Sequence, residues 1–139
     1  MQEGRLLLAA TPLGQPGDAS ARLIEALANA HVIAAEDTRR ARALAAALGV
    51  TPAGRILSVF DQNEAGRVPM LLDEIRAGAT VVLISDAGMP LINDPGYRLV
   101  TACIEAQLPV SCLPGPSAVT TALAVSGLGA DKFCFEGFA

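Results

Sequence analysis

A short segment with two carboxylates and a high density of glycine and proline is the first place in this chain where chemistry is expected. Residues 85–96, SDAGMPLINDPG, contain Asp86 and Asp94 together with two glycines and two prolines. The segment follows the apolar run 80–84, which predicts a buried strand. Proline fixes φ and glycine permits backbone angles that other residues avoid. We therefore expect a loop of one defined shape that presents its carboxylates to a ligand.

Two carboxylates on one loop can act as general acid and base or bind magnesium. A magnesium-dependent phosphate hydrolase using Asp86 and Asp94 is therefore one hypothesis. Asp94 also precedes a proline at the start of a predicted helix, so capping is an alternative role for it. Glu36 and Asp37 have the same ambiguity, and Thr38 is predicted to cap the helix that follows them.

The scaffold for these residues is predicted by apolar runs of strand length that alternate with windows of helical periodicity. This alternation is typical of βαβ units, so we expect an α/β fold with a five-stranded parallel sheet flanked by helices. The predicted strands are residues 5–10, 31–35, 56–60, 80–84 and 110–113, and the predicted helices are residues 19–29, 38–48, 66–77, 97–106 and 117–126.

Local signals predict several helix ends. Asp18 is expected to cap the first helix, and Gly49 is expected to end the second. Pro69 is compatible with a helix only in its first turn, so the third helix is predicted to begin near Gly66. Residues 61–64 are then expected to form a loop after the third strand.

The carboxyl ends of the strands form the candidate site, because ligands of open parallel sheets bind there. All five ends are polar or rich in glycine and proline, which is more than a simple connection requires. At the last end Ser117 can cap a helix whose backbone amides face a ligand oxygen. The phosphate-binding P-loop motif and the glycine-rich dinucleotide motif are both absent, which argues against those two classes of nucleotide site.

Composition narrows the classes further. The chain has 139 residues, of which 17% are charged, and a net charge of −4, so we expect one domain with a well-buried core. This charge argues against a protein that grips nucleic acid unaided. Arg39, Arg40 and Arg42 form a basic cluster, which is either a solvated helix face or an RNA contact. The single lysine, Lys132, leaves little room for Schiff-base chemistry.

Cysteine and histidine usage predicts neither disulfides nor a metal site. Cys103, Cys112 and Cys134 have unrelated spacings, and His31 is the single histidine. We expect all three cysteines to be reduced and to lie in or near the core, as in a cytoplasmic protein. The apolar stretches are shorter than the roughly 20 residues that span a bilayer, so no membrane association is expected.

Taken in order, the loop segments resemble the tetrapyrrole methylase superfamily, and within it the branch that methylates ribosomal RNA. The chain departs from the pattern of that branch at Gln15, Asp61 and Met89, where asparagine, histidine and threonine are usual. The segments that carry the resemblance are 8–18 (LAATPLGQPGD), 33–40 (IAAEDTRR), 61–64 (DQNE), 83–100 (LISDAGMPLINDPGYRLV), 113–123 (LPGPSAVTTAL) and 131–138 (DKFCFEGF).

The resemblance implies transfer of the methyl group of S-adenosylmethionine to the ribose 2′-oxygen of a cytidine in small-subunit (16S) ribosomal RNA, by a cytoplasmic homodimer. It implies an N-terminal methyl-donor-binding domain over residues 1–132. Residues 133–139 would be a linker or a first strand towards a C-terminal domain that this chain does not contain. We therefore expect the chain alone to be inactive on RNA, and a non-catalytic dimerisation domain is the alternative.

The candidate site residues come partly from the residues themselves and, for the methyl donor, position by position from the resemblance. Arg39, Arg40 and Arg42 are the candidates for RNA contact. Asp86, Glu36 and Asp37 are the candidates for the base that accepts the ribose proton, with nothing in the sequence to choose among them. No metal is required. The implied donor contacts are Pro12, Gly14, Asp86, Ala87, Gly88, Pro90, Asp94, Gly115, Pro116, Ser117 and Ala118.

Overall fold

A computed structural model describes residues 4–92 and 96–137 of the chain. Strands and α-helices alternate along these residues, and a short 3-10 turn, Pro16–Asp18, precedes the first helix. The strands are β1 (Arg5–Ala9), β2 (Val32–Ala35), β3 (Arg55–Ser58), β4 (Thr80–Ile84) and β5 (Val110–Leu113). The helices are α1 (Ala21–Asn29), α2 (Thr38–Ala47), α3 (Asp61–Arg76), α4 (Tyr97–Glu105) and α5 (Ala118–Val125).

The five strands form one sheet in the order β3-β2-β4-β1-β5, and every pairing is parallel. The predicted fold class is therefore confirmed. Because β1 and β4 each have a strand on both sides, their residues are shielded on two faces and two edges. This explains why these strands read as continuous apolar runs rather than as alternating ones.

Helices cover both faces of the sheet. On one face Leu23 and Leu27 of α1 and Ala41 of α2 pack against strand residues such as Ile33 and Val82. On the other face α3 and α4 pack against the residues that point the opposite way, including Leu6, Val81 and Leu83. The alternation of side chains along each strand sends neighbouring residues into the two cores.

The order of the strands creates a switch point between β1 and β4. The chain leaves β1 towards α1 on one face of the sheet, whereas it leaves the adjacent β4 towards α4 on the other face. Connections that diverge in this way open a crevice at the carboxyl ends of the two strands. The sheet therefore positions the candidate site beyond Ala9 and Ile84.

Helix α3 begins at Asp61 rather than near Gly66, and residues 61–64 form its first turn instead of a loop. Two hydrogen bonds of the Asn63 side chain fix this turn: its Oδ1 accepts from the Phe60 amide at 2.7 Å, and its Nδ2 donates to the Ser58 carbonyl at 3.0 Å. Pro69 consequently lies inside the helix. It is tolerated because it sits on the exposed side, where water can bind the helix carbonyl that proline leaves without a donor.

Two predicted helix caps were wrong by one or two residues. Ser20 caps α1 in place of Asp18, with its Oγ accepting from the Leu23 amide at 3.0 Å. Asp37 caps α2 in place of Thr38, with its Oδ1 accepting from the Arg39 amide at 2.9 Å. In each case a side-chain oxygen at the true cap position reaches an amide two or three residues on, which the predicted residue does not do. Gly49 follows α2 at a φ of 71°, as predicted.

The edge of the sheet formed by β5 is less covered by helices than the rest of the sheet. Helix α5 buries none of its side chains, and Cys112 on the edge strand β5 is exposed. Cys134 is also exposed, so the expectation of core cysteines holds only for Cys103, where burial raises the pKa of the thiol. All three are free thiols. Over residues 4–92 and 96–137, no helix combines the length and the apolar character needed to cross a membrane.

Candidate functional site

A backbone bridge joins the two loops at the switch point. The Thr11 amide donates to the Gly88 carbonyl at 3.0 Å, and the Gly88 amide donates to the Thr11 carbonyl at 2.9 Å. Thr11 lies just beyond the end of β1, and Gly88 belongs to the loop after β4. The bridge therefore fixes the relative position of the two central loops of the site.

Side chains beneath the bridge support the same arrangement. The Ser85 hydroxyl lies 3.1 Å from the Ala87 carbonyl and 3.2 Å from the Gly88 carbonyl, and it can donate to either. The Thr11 hydroxyl faces the Ser85 carbonyl at a longer distance of 3.5 Å. Thr11 and Ser85 are both buried, so these polar groups are held in place by the fold rather than by solvent.

Gly88 is the point where three loops meet. Its φ is 76°, and a Cβ at this position would lie 3.1 Å from Leu13 Cδ2, 3.6 Å from the Pro116 carbonyl oxygen and 4.0 Å from the Ala118 amide nitrogen. Gly115 makes a similar approach to the end of β1, where its Cβ would lie 3.0 Å from that of Ala10. The loops after β1, β4 and β5 therefore converge, and glycine is what lets them do so.

A recess of about 190 Å³ lies between the loop after β4 and the start of α5, and we call it the glycine recess. Its lining is mostly apolar or small and includes Gly88 and the first residues of α5. Ligand pockets commonly measure about 300–1,000 Å³, so the glycine recess is smaller than a complete pocket. The lining residues are Ala87, Gly88, Met89, Ile92, Ser117, Ala118, Val119 and Phe135.

A second and larger recess, of about 510 Å³, lies beyond the ends of β2, β3 and β4, and we call it the acidic recess. Four of its lining residues are carboxylic acids. Asp86 lines it, whereas the next residue, Ala87, lines the glycine recess, so the loop after β4 forms the ridge between the two. The lining residues are Glu36, Asp37, Thr38, Ser58, Phe60, Asp61, Gln62 and Asp86.

An arginine connects two of the acidic side chains. Arg40 Nη1 lies 3.8 Å from Asp86 Oδ2, and Arg40 Nε lies 4.0 Å from Asp37 Oδ2. Asp37 also accepts from the Arg39 amide, and this hydrogen bond lowers the pKa of the Asp37 carboxyl below its ordinary value of 3.8. A carboxylate with a lowered pKa is a weaker base, and the capping hydrogen bond also occupies Asp37 Oδ1.

The structure brings together some of the predicted donor-binding residues and separates others. Ala87, Gly88, Ser117 and Ala118 share the glycine recess, whereas Asp86 faces the acidic recess. Pro12 and Pro90 are buried beside them, and Gly14 lies in the open, since a Cβ there would have no atom within 4 Å. Ser117 occupies the N-cap position of α5, but its side chain makes no capping hydrogen bond. Asp94 lies outside the described residues.

The predicted RNA-contact residues lie at the start of α2. Arg39, Arg40 and Arg42 are all exposed, and the first two pair with Asp37. Arg40 therefore stands at the rim of the acidic recess. Among residues 4–92 and 96–137, no three histidine, cysteine, aspartate or glutamate side chains are grouped so that they could hold a metal ion.

Sequence reasoning missed Glu64, a buried carboxylate of α3. Its Oε1 accepts from the Gly96 amide at 3.2 Å, and its Oε2 accepts from the Leu99 amide at 2.9 Å. The two bonds link α3 to the start of α4 at the far end of the loop after β4. The sequence held only indirect signs of this role. Glu64 belongs to the DQNE segment at residues 61–64, and the helix that begins at Tyr97 follows a glycine, which has no side chain to cap it.

Comparison with known proteins agrees with this architecture. The chain is 68% identical over 139 residues to a "Ribosomal RNA small subunit methyltransferase I" of Mycobacterium tuberculosis, covering 100% of the chain and 49% of that protein. It is 44% identical over 136 residues to the Escherichia coli O157:H7 protein of the same name, covering 98% of the chain and 47% of that protein. The chain thus spans about half the length of the curated relatives it matches.

A solved structure supports the fold, and a family model identifies the family. The structure of uroporphyrin III C-methyl transferase from Thermus thermophilus matches with a TM-score of 0.63 at 20% identity, covering 86% of this chain and 51% of that one, and so supports the fold. The model for tetrapyrrole (corrin/porphyrin) methylases matches residues 5–134. With its parallel sheet and with three loops meeting at Gly88, the chain belongs to the tetrapyrrole methylase family.

Proposed function

We propose that this chain is the methyl-donor-binding half of an S-adenosylmethionine-dependent methyltransferase that acts on the ribose 2′-oxygen of a cytidine in small-subunit ribosomal RNA. The observation that carries the proposal is the convergence of three strand ends at Gly88, at the switch point of the sheet. The names of the two relatives described above, which match 100% and 98% of the chain at 68% and 44% identity, support methyl transfer to small-subunit ribosomal RNA.

The glycine recess is the proposed site of the methyl donor. Small residues at positions 87, 88 and 118 leave room for a ligand to approach the backbone, and a side chain at Gly88 would fill that room. The Ser117 hydroxyl, which makes no capping bond, and the first amides of α5 can bind polar atoms such as a carboxylate or ribose oxygens. When bound, the donor supplies a methyl group on a positively charged sulfur. The nearby carboxylates favour that charge.

The remaining donor residues implied by the family pattern support this surface. Gly115 allows the β5 loop to close against Ala10, and the buried Pro12 and Pro90 stiffen the loops after β1 and β4. We retain Gly14, Pro116 and Asp94 as proposed donor contacts on the family resemblance. The recess of about 190 Å³ is incomplete for a ligand of this size, so we propose that a further domain supplies the opposite wall.

The acidic recess is the proposed place of the ribose. Methyl transfer to an alcohol is an in-line displacement in which the oxygen forms a bond to the methyl carbon and the sulfur leaves with the electron pair of the broken bond. The protein contributes mainly by aligning the two reactants. The hydroxyl proton must pass to a base, and Asp86 and Glu36 are the proposed candidates, because Asp37 already uses its Oδ1 to cap α2.

The basic cluster at the start of α2 is proposed to contact RNA phosphates. Arg40 stands at the rim of the acidic recess, and Arg39 and Arg42 are exposed beside it. Three arginines are a small footprint against the net charge of −4, so the rest of an RNA surface would come from another domain or from a second copy. A homodimer in the cytoplasm is part of this proposal.

The experiment compares this chain with a chimera in which it replaces the matching half of the Mycobacterium tuberculosis relative. S-adenosylmethionine is titrated into each by calorimetry, and transfer of a tritiated methyl group to small ribosomal subunits is then measured. The proposal expects the chimera to bind the donor and to methylate a cytidine ribose, and the chain alone to be inactive on RNA. Absence of donor binding by both proteins would overturn it.

A pair of substitutions on α5 locates the site. Ala118→Leu places a larger side chain in the glycine recess, and we expect the donor affinity of the chimera to fall by about tenfold or more. Ala124→Leu makes the same change on the same exposed helix outside the recess, and it should leave affinity within about twofold of wild type. Equal effects of the two substitutions would argue against the glycine recess as the donor site.

A further inference from the structure

Helix α4 receives its N-terminal cap from another helix. Its own N-cap residue is Gly96, which has no side chain to accept the first amides of the helix. Glu64, 32 and 35 residues earlier in the chain, accepts from the Gly96 and Leu99 amides with its two carboxylate oxygens. A carboxylate is the group that a helix N-terminus binds best, because both the free amides and the helix dipole favour negative charge there.

The position of Gly96 explains why the cap is supplied from a distance. A Cβ at residue 96 would lie 2.6 Å from Leu83 Cδ2 and 2.7 Å from Leu91 Cδ1, and its φ is 128°. The serine, threonine, aspartate or asparagine that normally caps a helix therefore does not fit here. Glu64 satisfies the amides instead, and it remains 4% exposed with both of its oxygens in use.

Leu91, which packs against Gly96, connects this helix start to the lining of the glycine recess. Leu91 packs against Gly96 and against the core between the sheet and helices α3 and α4, and it holds a φ of 74°, which is unusual for leucine. Its neighbour Ile92 lines the glycine recess together with Met89. The loop after β4 is thus fixed near Gly88 by the Thr11 bridge, whereas Glu64 holds Gly96, on which Leu91 packs.

We propose that Glu64 is a positioning residue for the methyl donor: by holding Gly96 and the start of α4, its carboxylate keeps Leu91, and with it the Met89–Ile92 wall of the glycine recess, in the binding shape. This inference rests on the function proposed above. Glu64 is buried at the N-terminus of α4 and does not line the glycine recess, so it acts through Gly96 and Leu91 rather than by touching the donor.

The principal test measures donor binding and steady-state kinetics of the chimera with Glu64→Gln. Glutamine has nearly the same shape but keeps one acceptor oxygen, so one of the two amides loses its partner. At a temperature where the variant is fully folded, we expect the dissociation constant and KM for S-adenosylmethionine to rise by about tenfold or more. The KM for ribosomal subunits and the kcat at saturating donor should stay within about twofold of wild type.

The matched control is Asp73→Asn, which removes a carboxylate from the exposed side of the same helix. It should leave all of these constants within about twofold of wild type. Glu64→Gln with a full complement of folded structure and an unchanged donor KM would overturn the inference. A wild-type chimera that binds no donor would overturn the proposed function itself, and this outcome is visible before any variant is made.

A second measurement needs no substitution and so stands even where Glu64→Gln fails to fold. Coupling between two sites is reciprocal, so donor binding must tighten the Glu64 contact if that contact favours binding. We expect S-adenosylhomocysteine to slow hydrogen exchange of the Gly96 and Leu99 amides in the wild-type chimera. The Ala106 amide, at the other end of α4, is the internal reference. Equal protection factors with and without this ligand at Gly96 and Leu99 would contradict the inference.

Discussion

Replacing Gly96 by alanine is expected to destabilise the chain through two separate effects. The backbone at this position has a φ of 128°, which residues with a Cβ rarely adopt. The added methyl would also lie 2.6 Å from one leucine side chain and 2.7 Å from another, where ordinary contacts exceed 3.4 Å. Both leucines belong to the packed region between the sheet, α3 and α4, so they have little space in which to move.

The magnitude follows from a matched position. Gly49 has a φ of 71° but no atom within 4 Å of a Cβ, so Gly49→Ala reports backbone strain alone, about 1–2 kcal/mol. The φ of 128° at Gly96 lies beyond the αL region, so backbone strain there is at least that of Gly49, and overpacking adds about 1–3 kcal/mol. Gly96→Ala should therefore cost about 2–5 kcal/mol or more. With an unfolding entropy of about 2.1 cal/mol/K per residue, a loss of about 3 kcal/mol from a chain of 139 residues lowers Tm by about 10 °C.

Thermal and urea unfolding followed by circular dichroism measures both variants against wild type. Gly66→Ala is the baseline, because Gly66 lies within α3 with no positive φ and no atom within 4 Å, so alanine should stabilise the chain by about 0.5–1 kcal/mol. We expect the free energy of unfolding to fall in the order Gly66→Ala, Gly49→Ala, Gly96→Ala, with three distinct values. Equal losses for Gly49→Ala and Gly96→Ala would refute the claim that Leu83 and Leu91 close on residue 96.

Two further predictions concern thiols and acid. Cys112 and Cys134 should react with a thiol reagent in the native chain, whereas Cys103 should react only on unfolding, because burial raises the pKa of its thiol and blocks access. Labelling followed by mass spectrometry measures this, and early modification of Cys103 would contradict the prediction. Because the folded-state pKa of Asp37 is lowered, its stabilising effect is present above 3.8 and is lost as pH falls through the folded pKa. Asp37→Ala should therefore lower Tm at neutral pH, and the difference in Tm from wild type should shrink in acid. A difference in Tm that is independent of pH would contradict this explanation. Asp37→Asn, which keeps a capping oxygen, is the control.

The strands and most of the helices could be predicted because their signals are local. β4 and β5 have the bounds that the sequence predicts, since each is a short, mostly apolar segment between turn residues. The start of α3 could not be predicted in the same way. Pro69 favoured a late start, whereas the turn at Asp61 depends on the Asn63 side chain and on Ser58, whose carbonyl only meets it once β3 is in the sheet.

In the candidate site, too, some features have local sequence signals and others depend on the packing of distant segments. The convergence of strand ends follows from any parallel sheet, so the loops around Gly88 could be named from the sequence. The separation of Asp86 from Ala87 into two recesses, and the contact between Glu64 and Gly96, depend on packing between distant segments and have no local signature. The burial predicted for Cys112 is wrong for a related reason, because exposure at β5 depends on its place at the edge of the sheet.

The position of β1 inside the sheet, between β4 and β5, has a consequence for the order in which the chain can fold. β1 pairs with β4 and β5 and with neither β2 nor β3, and the Thr11 and Ser85 groups that meet at its end are 74 residues apart in sequence. During synthesis the first strand therefore waits for the fourth, and loop closure of this length precedes most of the sheet. Such a non-local topology favours slow folding, and the unpaired β1 is the segment that a nascent chain must keep from pairing wrongly.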